Sequence, residues 1–163
     1  PEGGSGALGV MGCKHLIEQA DLDRPWDAVV VAAGTGATAA GLLLGLKGTA
    51  ALYVANALKG FDMGQAIEHQ LNFALNDSTW SKELAAGCTV WNDAHFGGFG
   101  HIPESLQSFI GPWETETGIR LDGVYTGKAL HRLEQAWRED PDWSNRRVLF
   151  IHTGGLQGNR SWR

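Results

Sequence analysis

At 163 residues, with 43% hydrophobic and 19% charged side chains, the chain is sized and composed for one globular core and not for disorder. A net charge of −5 argues against a nucleic-acid or anionic-membrane footprint, and the apolar runs are too broken by glycine to span a bilayer. Cys13 and Cys88 suit structural thiols of a reduced, cytoplasmic protein better than a disulfide framework.

"PEGGSGALG" begins as a glycine-rich loop, and from Ala7 to Ala20 the spacing predicts a helix with Leu8, Met11, Leu16 and Ile17 on its apolar side. After the linker "DLDRPW" comes a strand over Ala28–Ala33, whose β-branched run predicts burial on both faces. Gly34 and Gly36 turn the chain into a helix that has Thr38 where an N-cap would stand and runs to about Leu46. "TAALYVAN" reads as a second buried strand, and Asp62 as the cap of a helix through "MGQAIEHQLNFAL". "CTVWN" is a short strand before the loop "DAHFGGFGHIP", after which Pro103 starts a helix through Leu106, Phe109 and Trp113. "GIRLDGVYTGKALHRLEQAW" reads as an extended segment, a turn, and a helix from Gly127. "REDPDW" then reads as solvated surface and "RRVLFIHTGG" as the last buried strand.

Strands alternating with helices predict a single three-layer α/β domain over 1–163, with a mostly parallel sheet and helices on both faces. Ligands of such sheets sit at the carboxyl ends of the strands. The places to look are therefore the turns Gly34–Ala37, Phe96–Gly100 and Thr153–Gly155, together with "PEGGS" and "VYTGK".

The strand–turn–helix at Gly34–Thr38 presents unpaired backbone N–H groups and a positive helix end, which suits a phosphate. Gly34, Gly36 and Ala39 satisfy G-x-G-x-x-A, but a dinucleotide site also wants a carboxylate roughly 20 residues on. Asn56 stands at the end of the next strand, and no carboxylate follows until Asp62. The turn also lacks the Gly-Lys-Ser/Thr of a phosphate loop. Asp93, His95 and His101 fit no recognised ligand spacing, so no metal site is assigned. Cys13 and Cys88 read as small core residues. A tight turn that holds no ligand stays open at this point.

Together, "PEGGSGALG", "AAGTGATAAGL", "FGGFG", "LDGVYTGKA" and "IHTGGLQG" resemble, in this order, the motifs of pyridoxal-phosphate enzymes of the D-cysteine desulfhydrase and aminocyclopropane-carboxylate deaminase family. These have the tryptophan-synthase-β type of fold, and the resemblance runs from Pro1 to about Gly158. It implies that Gly34, Thr35, Gly36, Ala37 and Thr38 hold the phosphate of pyridoxal 5′-phosphate. It also implies that Tyr125 stands beside the substrate, that Thr126 faces the pyridine nitrogen, and that Thr153 is among the cofactor-binding residues. The deaminases carry a Glu at the position of Thr126 and a Leu at that of Thr153, so this chain resembles the desulfhydrase branch. A hydroxyl at the ring nitrogen makes a weaker electron sink than a carboxylate, adequate where a good thiol leaving group departs. Phe99 and Gly123 depart from the family's "GYG" and "DPVY".

The family anchors its cofactor on a lysine in an N-terminal portion that precedes the matched region. Lys14, Lys47, Lys59, Lys82 and Lys128 read as helix or loop surface, and none lies in a motif resembling that site. The expectation is that 1–163 is the C-terminal part of a longer enzyme. That enzyme would act on a small amino acid by α-proton removal and β-elimination, as a homo-oligomer or with a companion N-terminal fragment. A non-catalytic remnant and a module binding a phosphorylated small molecule are the alternatives.

Overall fold

A row of valines stands at the centre of the sheet. β1 (Ala28–Ala33) pairs in parallel with β2 (Ala51–Asn56) on one side and β4 (Val148–Ile151) on the other. β2 pairs in parallel with β3 (Cys88–Trp91), giving a 4-stranded sheet in the order β3-β2-β1-β4. This computed structural model describes residues 2–20 and 24–162; Pro1, Arg163 and, within the expected linker, Asp21, Leu22 and Asp23 lie outside the described residues.

Strand alternation explains why β1 is apolar throughout. Val29, Val31 and Ala33 point into one core, with α1 (Ala7–Lys14), α2 (Ala37–Leu46) and α3 (Met63–Leu75). Ala28, Val30 and Ala32 point into the other, under α5 (Glu104–Thr117) and α6 (Thr126–Glu139). Helices therefore cover both faces of a parallel sheet, as the alternation of elements predicts. β4 differs from expectation: it forms an edge of the sheet and its residues are half-buried, because β1 is its pairing partner on one side.

The first helix also differs. It ends at Lys14, and the chain continues into a short 3-10 turn over Ile17–Gln19. Val10 faces the core, whereas Leu8 is 91% exposed. The crossing of α1 with α2 decides this face. A Cβ at Gly41 would lie 2.5 Å from the Cβ of Cys13, and one at Gly45 would lie 2.5 Å from the Lys14 carbonyl. The glycines of α2 admit the backbone of α1 at a distance that bulkier residues forbid, so proximity outweighs apolar spacing. Cys13 is half-buried at this contact, its thiol 3.8 Å from the Thr38 hydroxyl.

Asp62 caps α3 as expected, its side chain accepting from the Gln65 N–H at 2.9 Å. Another helix, α4 (Ser78–Ala85), has a similar cap, Asp77 accepting from the Trp80 N–H at 2.9 Å. Pro103 stands at the N-cap of α5. The "REDPDW" stretch is not wholly solvated: Trp143 is buried, with its ring edge-on to Tyr53 at 4.7 Å.

Candidate active site

The carboxyl end of β1 leads straight into the turn before α2. The helix starts at Ala37 and its N-cap is Gly36, whose φ of 84° lies in the left-handed region that favours glycine. Thr38 is thus the second helical residue and not the cap. No side chain caps α2. Its first-turn N–H groups lie at the cleft with the positive end of a 10-residue helix behind them.

These groups line a cleft of about 770 Å³. The glycine motifs far apart in the chain meet there: Gly3 and Ser5, Gly34–Thr38, Phe99, Tyr125, and Thr153–Gly155. Tyr125 lies against Gly34, where a Cβ would come within 3.1 Å of the ring. Gly3 is equally constrained by Thr35, whose Cγ2 would stand 2.7 Å from a Cβ there. Phe99 meets Tyr125 edge-on, with ring centroids 6.1 Å apart.

Gly34, Thr35, Gly36, Ala37, Thr38, Tyr125 and Thr153 are therefore brought together. Thr126 is not among the lining residues. It is buried at the start of α6, and its hydroxyl donates to Asp122 Oδ2 at 2.6 Å. Asp122 is itself fully buried and also accepts from the N–H groups of Val124, Tyr125 and Thr126 at 2.9, 2.7 and 2.9 Å. The carboxylate of Asp122 thus folds the turn that aims Tyr125 into the cleft. Gly155 packs on the same carboxylate, where a Cβ would stand 3.1 Å from Oδ2.

Two residues of α3 join the site without a sequence motif to mark them. Gln70 accepts from the Gly6 N–H at 2.9 Å and donates to the Thr35 carbonyl at 3.4 Å, tying the N-terminal loop to the turn before α2. His69 lines the cleft and stacks on Phe73. The available signal is that Gln70 follows Ile67 by three positions, which places a polar group on the buried side of the helix.

Lys128 corrects the reading that every lysine lies at the surface. It is 1% exposed, and its Nζ donates to the carbonyls of His95 at 2.9 Å and Gly98 at 2.8 Å. Burial pulls its pKa down to about 8, opposed by the nearby Asp122 carboxylate. Asn56, the residue that stands in place of a ribose-binding carboxylate, is buried and spends its amide on Phe61, Leu58 and Asn92. Of the weighed metal candidates, Asp93 pairs with Arg132 at 3.0 Å. His95 accepts from the Gly97 N–H, and the ring of His101 bonds the Phe96 carbonyl.

The donor set fits a phosphomonoester with a small ring. It has N–H groups at an uncapped helix end, threonine residues beside them, aromatic side chains, and Thr153 among the lining residues. A lysine or arginine is absent among the lining residues, and a helix terminus does not need one to hold an anion.

No protein-family profile matches the chain. It is 32% identical over 173 residues to the bifunctional D-cysteine desulfhydrase/1-aminocyclopropane-1-carboxylate deaminase, mitochondrial, of Arabidopsis thaliana, covering 97% of this chain and 41% of that protein. It is 34% identical over 169 residues to the D-cysteine desulfhydrase of Serratia proteamaculans, covering 95% of this chain and 49% of that protein. A crystal structure of an ACC deaminase homologue superposes with a TM-score of 0.76 at 29% identity, over 98% of this chain and 49% of that one. The chain spans about half the length of the curated relatives it matches, or somewhat less.

Proposed function

This chain is homologous, over nearly its whole length, to about half of the D-cysteine desulfhydrases and aminocyclopropane-carboxylate deaminases it matches, and from that premise we propose that it forms part of a pyridoxal-phosphate-dependent lyase or deaminase. The observation that carries the proposal is the uncapped N-terminus of α2 at a cleft where the matching glycine motifs converge. Gly34–Thr38 hold the phosphate through backbone N–H groups and the hydroxyls of Thr35 and Thr38. Pyridoxal phosphate supplies the electron sink that acidifies the α-proton of a bound amino acid.

The other roles belong to the walls. Thr153 is exposed and lines the cleft, and we assign its hydroxyl the contact with the ring nitrogen. Thr126 would share that contact only by releasing Asp122, so its main part is to shape the turn. Tyr125 stands beside the substrate, where a phenol can hold or move a proton at the reacting carbon or its leaving group. We assign the cofactor-anchoring lysine to a portion outside 1–163, since no lysine is among the residues that line the cleft and Lys128 is committed to loop carbonyls.

A hydroxyl partner for the ring suits expulsion of a good leaving group. The reaction we propose is β-elimination from D-cysteine or a related β-substituted D-amino acid, which expels the β-substituent (sulfide from D-cysteine) and, after hydrolysis by water, leaves a keto acid and ammonia. Side-by-side assays of the full-length protein test it: D-cysteine turnover should exceed aminocyclopropane-carboxylate turnover. The reverse order overturns the branch assignment. Turnover of neither favours a non-catalytic remnant or a phosphorylated-ligand-binding module.

A further inference from the structure

We infer that Lys128 is a positioning residue: its buried ammonium fixes the glycine loop that holds Phe99 opposite Tyr125, so that the two rings form one wall of the cleft. The inference rests on the proposed function only for which ligand that wall meets.

The loop cannot hold this shape through a regular ladder. Phe96, Gly97, Gly98 and Gly100 all have positive φ, at 52°, 100°, 145° and 70°. Its own bonds are local: Gly98 N–H to the His95 carbonyl at 3.0 Å, His101 N–H to the Gly98 carbonyl at 3.3 Å, Gly97 N–H to His95 Nδ1 at 2.9 Å, and the His101 ring to the Phe96 carbonyl at 2.7 Å. Lys128 reaches in from α6 and donates to the His95 and Gly98 carbonyls, at 2.9 and 2.8 Å. It thereby bridges the two turn-forming acceptors from outside the loop. An ammonium is costly to bury, and packing alone would be served by an apolar side chain. The charge is retained where it can hold two carbonyls in a fixed relation.

The placement links this clamp to the site. Lys128 lies three residues after Tyr125, at the start of the same helix. One helix end therefore presents Tyr125 directly and holds Phe99 through the loop. Phe99 is 65% exposed and reaches Tyr125 edge-on, so the place of its ring depends on the shape of the loop backbone that Lys128 helps to hold. The ammonium takes no part in holding phosphate, because its Nζ is directed at the loop carbonyls.

Three variants of the full-length protein test the inference: Lys128→Met, Phe99→Ala and the double variant. In K128M the amides of residues 95–101 should exchange hydrogen at least tenfold faster, while those of β1 keep their wild-type rates. With D-cysteine, K128M and F99A should each raise KM by about tenfold with kcat changed less than twofold. The double variant should be no worse than F99A, because Lys128 acts through Phe99. Unchanged loop exchange overturns the inference, and so do KM losses that multiply in the double variant. If the protein turns over no amino acid, loop exchange alone decides the clamp and the functional proposal fails separately. Should K128M not fold, Lys128→Gln, which keeps amide donors without charge, takes its place with intermediate exchange expected.

Discussion

Tyr125 and Gly34 share one space: a Cβ on Gly34 would stand 3.1 Å from Tyr125 Cε1 and 3.2 Å from its phenol oxygen. The absence of a side chain at the end of β1 therefore sets how deeply Tyr125 enters the cleft. Gly34→Ala should push the ring outward by a few tenths of an ångström while the phosphate donors stay in place. We expect turnover by the full-length protein to fall by about tenfold, since small displacements of a reacting group are costly. Absorbance of bound pyridoxal phosphate should persist. Tyr125→Phe should show the same split, slow turnover with cofactor retained; loss of cofactor in both variants would refute the assignment of Tyr125 to the substrate side.

Gly36 separates backbone strain from charge. Its φ of 84° makes any side chain unfavourable by about 1–2 kcal/mol, and a Cβ would meet Ile67 Cγ1 at 3.2 Å. Gly36→Ala and Gly36→Asp should thus lose similar stability in urea. G36D alone also brings a carboxylate towards a bound dianion, and it alone should lose the absorbance of bound pyridoxal phosphate. Full retention of that absorbance in G36D would falsify the phosphate assignment.

Asp122 collects the backbone of the "LDGVYT" turn onto one buried carboxylate. Asp122→Asn would set an NH₂ group against N–H and O–H donors and remove the charge that they share. The expected loss is about 2–3 kcal/mol in urea unfolding, in the range for hydrogen bonds to a charged group. A loss below about 0.5 kcal/mol would show that the turn holds without it.

Lys128 gives a signed pH dependence. Burial lowers its folded pKa to about 8 from the ordinary 10.5, so between those values the unfolded chain binds more protons than the folded one. The penalty for burying its charge is fully present below pH 8 and is relieved as pH rises towards 10.5. Relative to Lys128→Met, the wild type should gain stability over that interval. A stability difference between the two that is flat from pH 8 to 10.5 would contradict the burial of a charged amine.

Local chemistry makes much of this protein legible in its sequence. The uninterrupted apolar run Ala28–Ala33 demands two covered faces, and the glycines at 34 and 36 demand a turn between strand and helix. The Asp62 cap and the order of the glycine motifs are likewise written in neighbouring residues. Apolar spacing misled where contact distance ruled instead. Leu8 and Met11 look like the inner face of a helix, yet Gly41 and Gly45 of α2 bring Cys13 and the backbone of α1 inward and leave Leu8 outside.

What the tertiary structure decided is which groups at distant positions share a space. Thr126 stands next to Tyr125 in sequence, but a helix start rotates it away from the cleft and onto Asp122. Lys128 looks like a surface charge on an amphipathic helix until the His95–Gly98 carbonyls close over it. Gln70 carries no motif and still joins the N-terminal loop to the phosphate turn. Residue type and spacing encode the backbone's local conformation, because that depends on sterics and hydrogen bonds within a few residues. Burial, hydrogen-bond partner and pKa depend on long-range packing, which settles them only when helices and loops far apart in the chain come together.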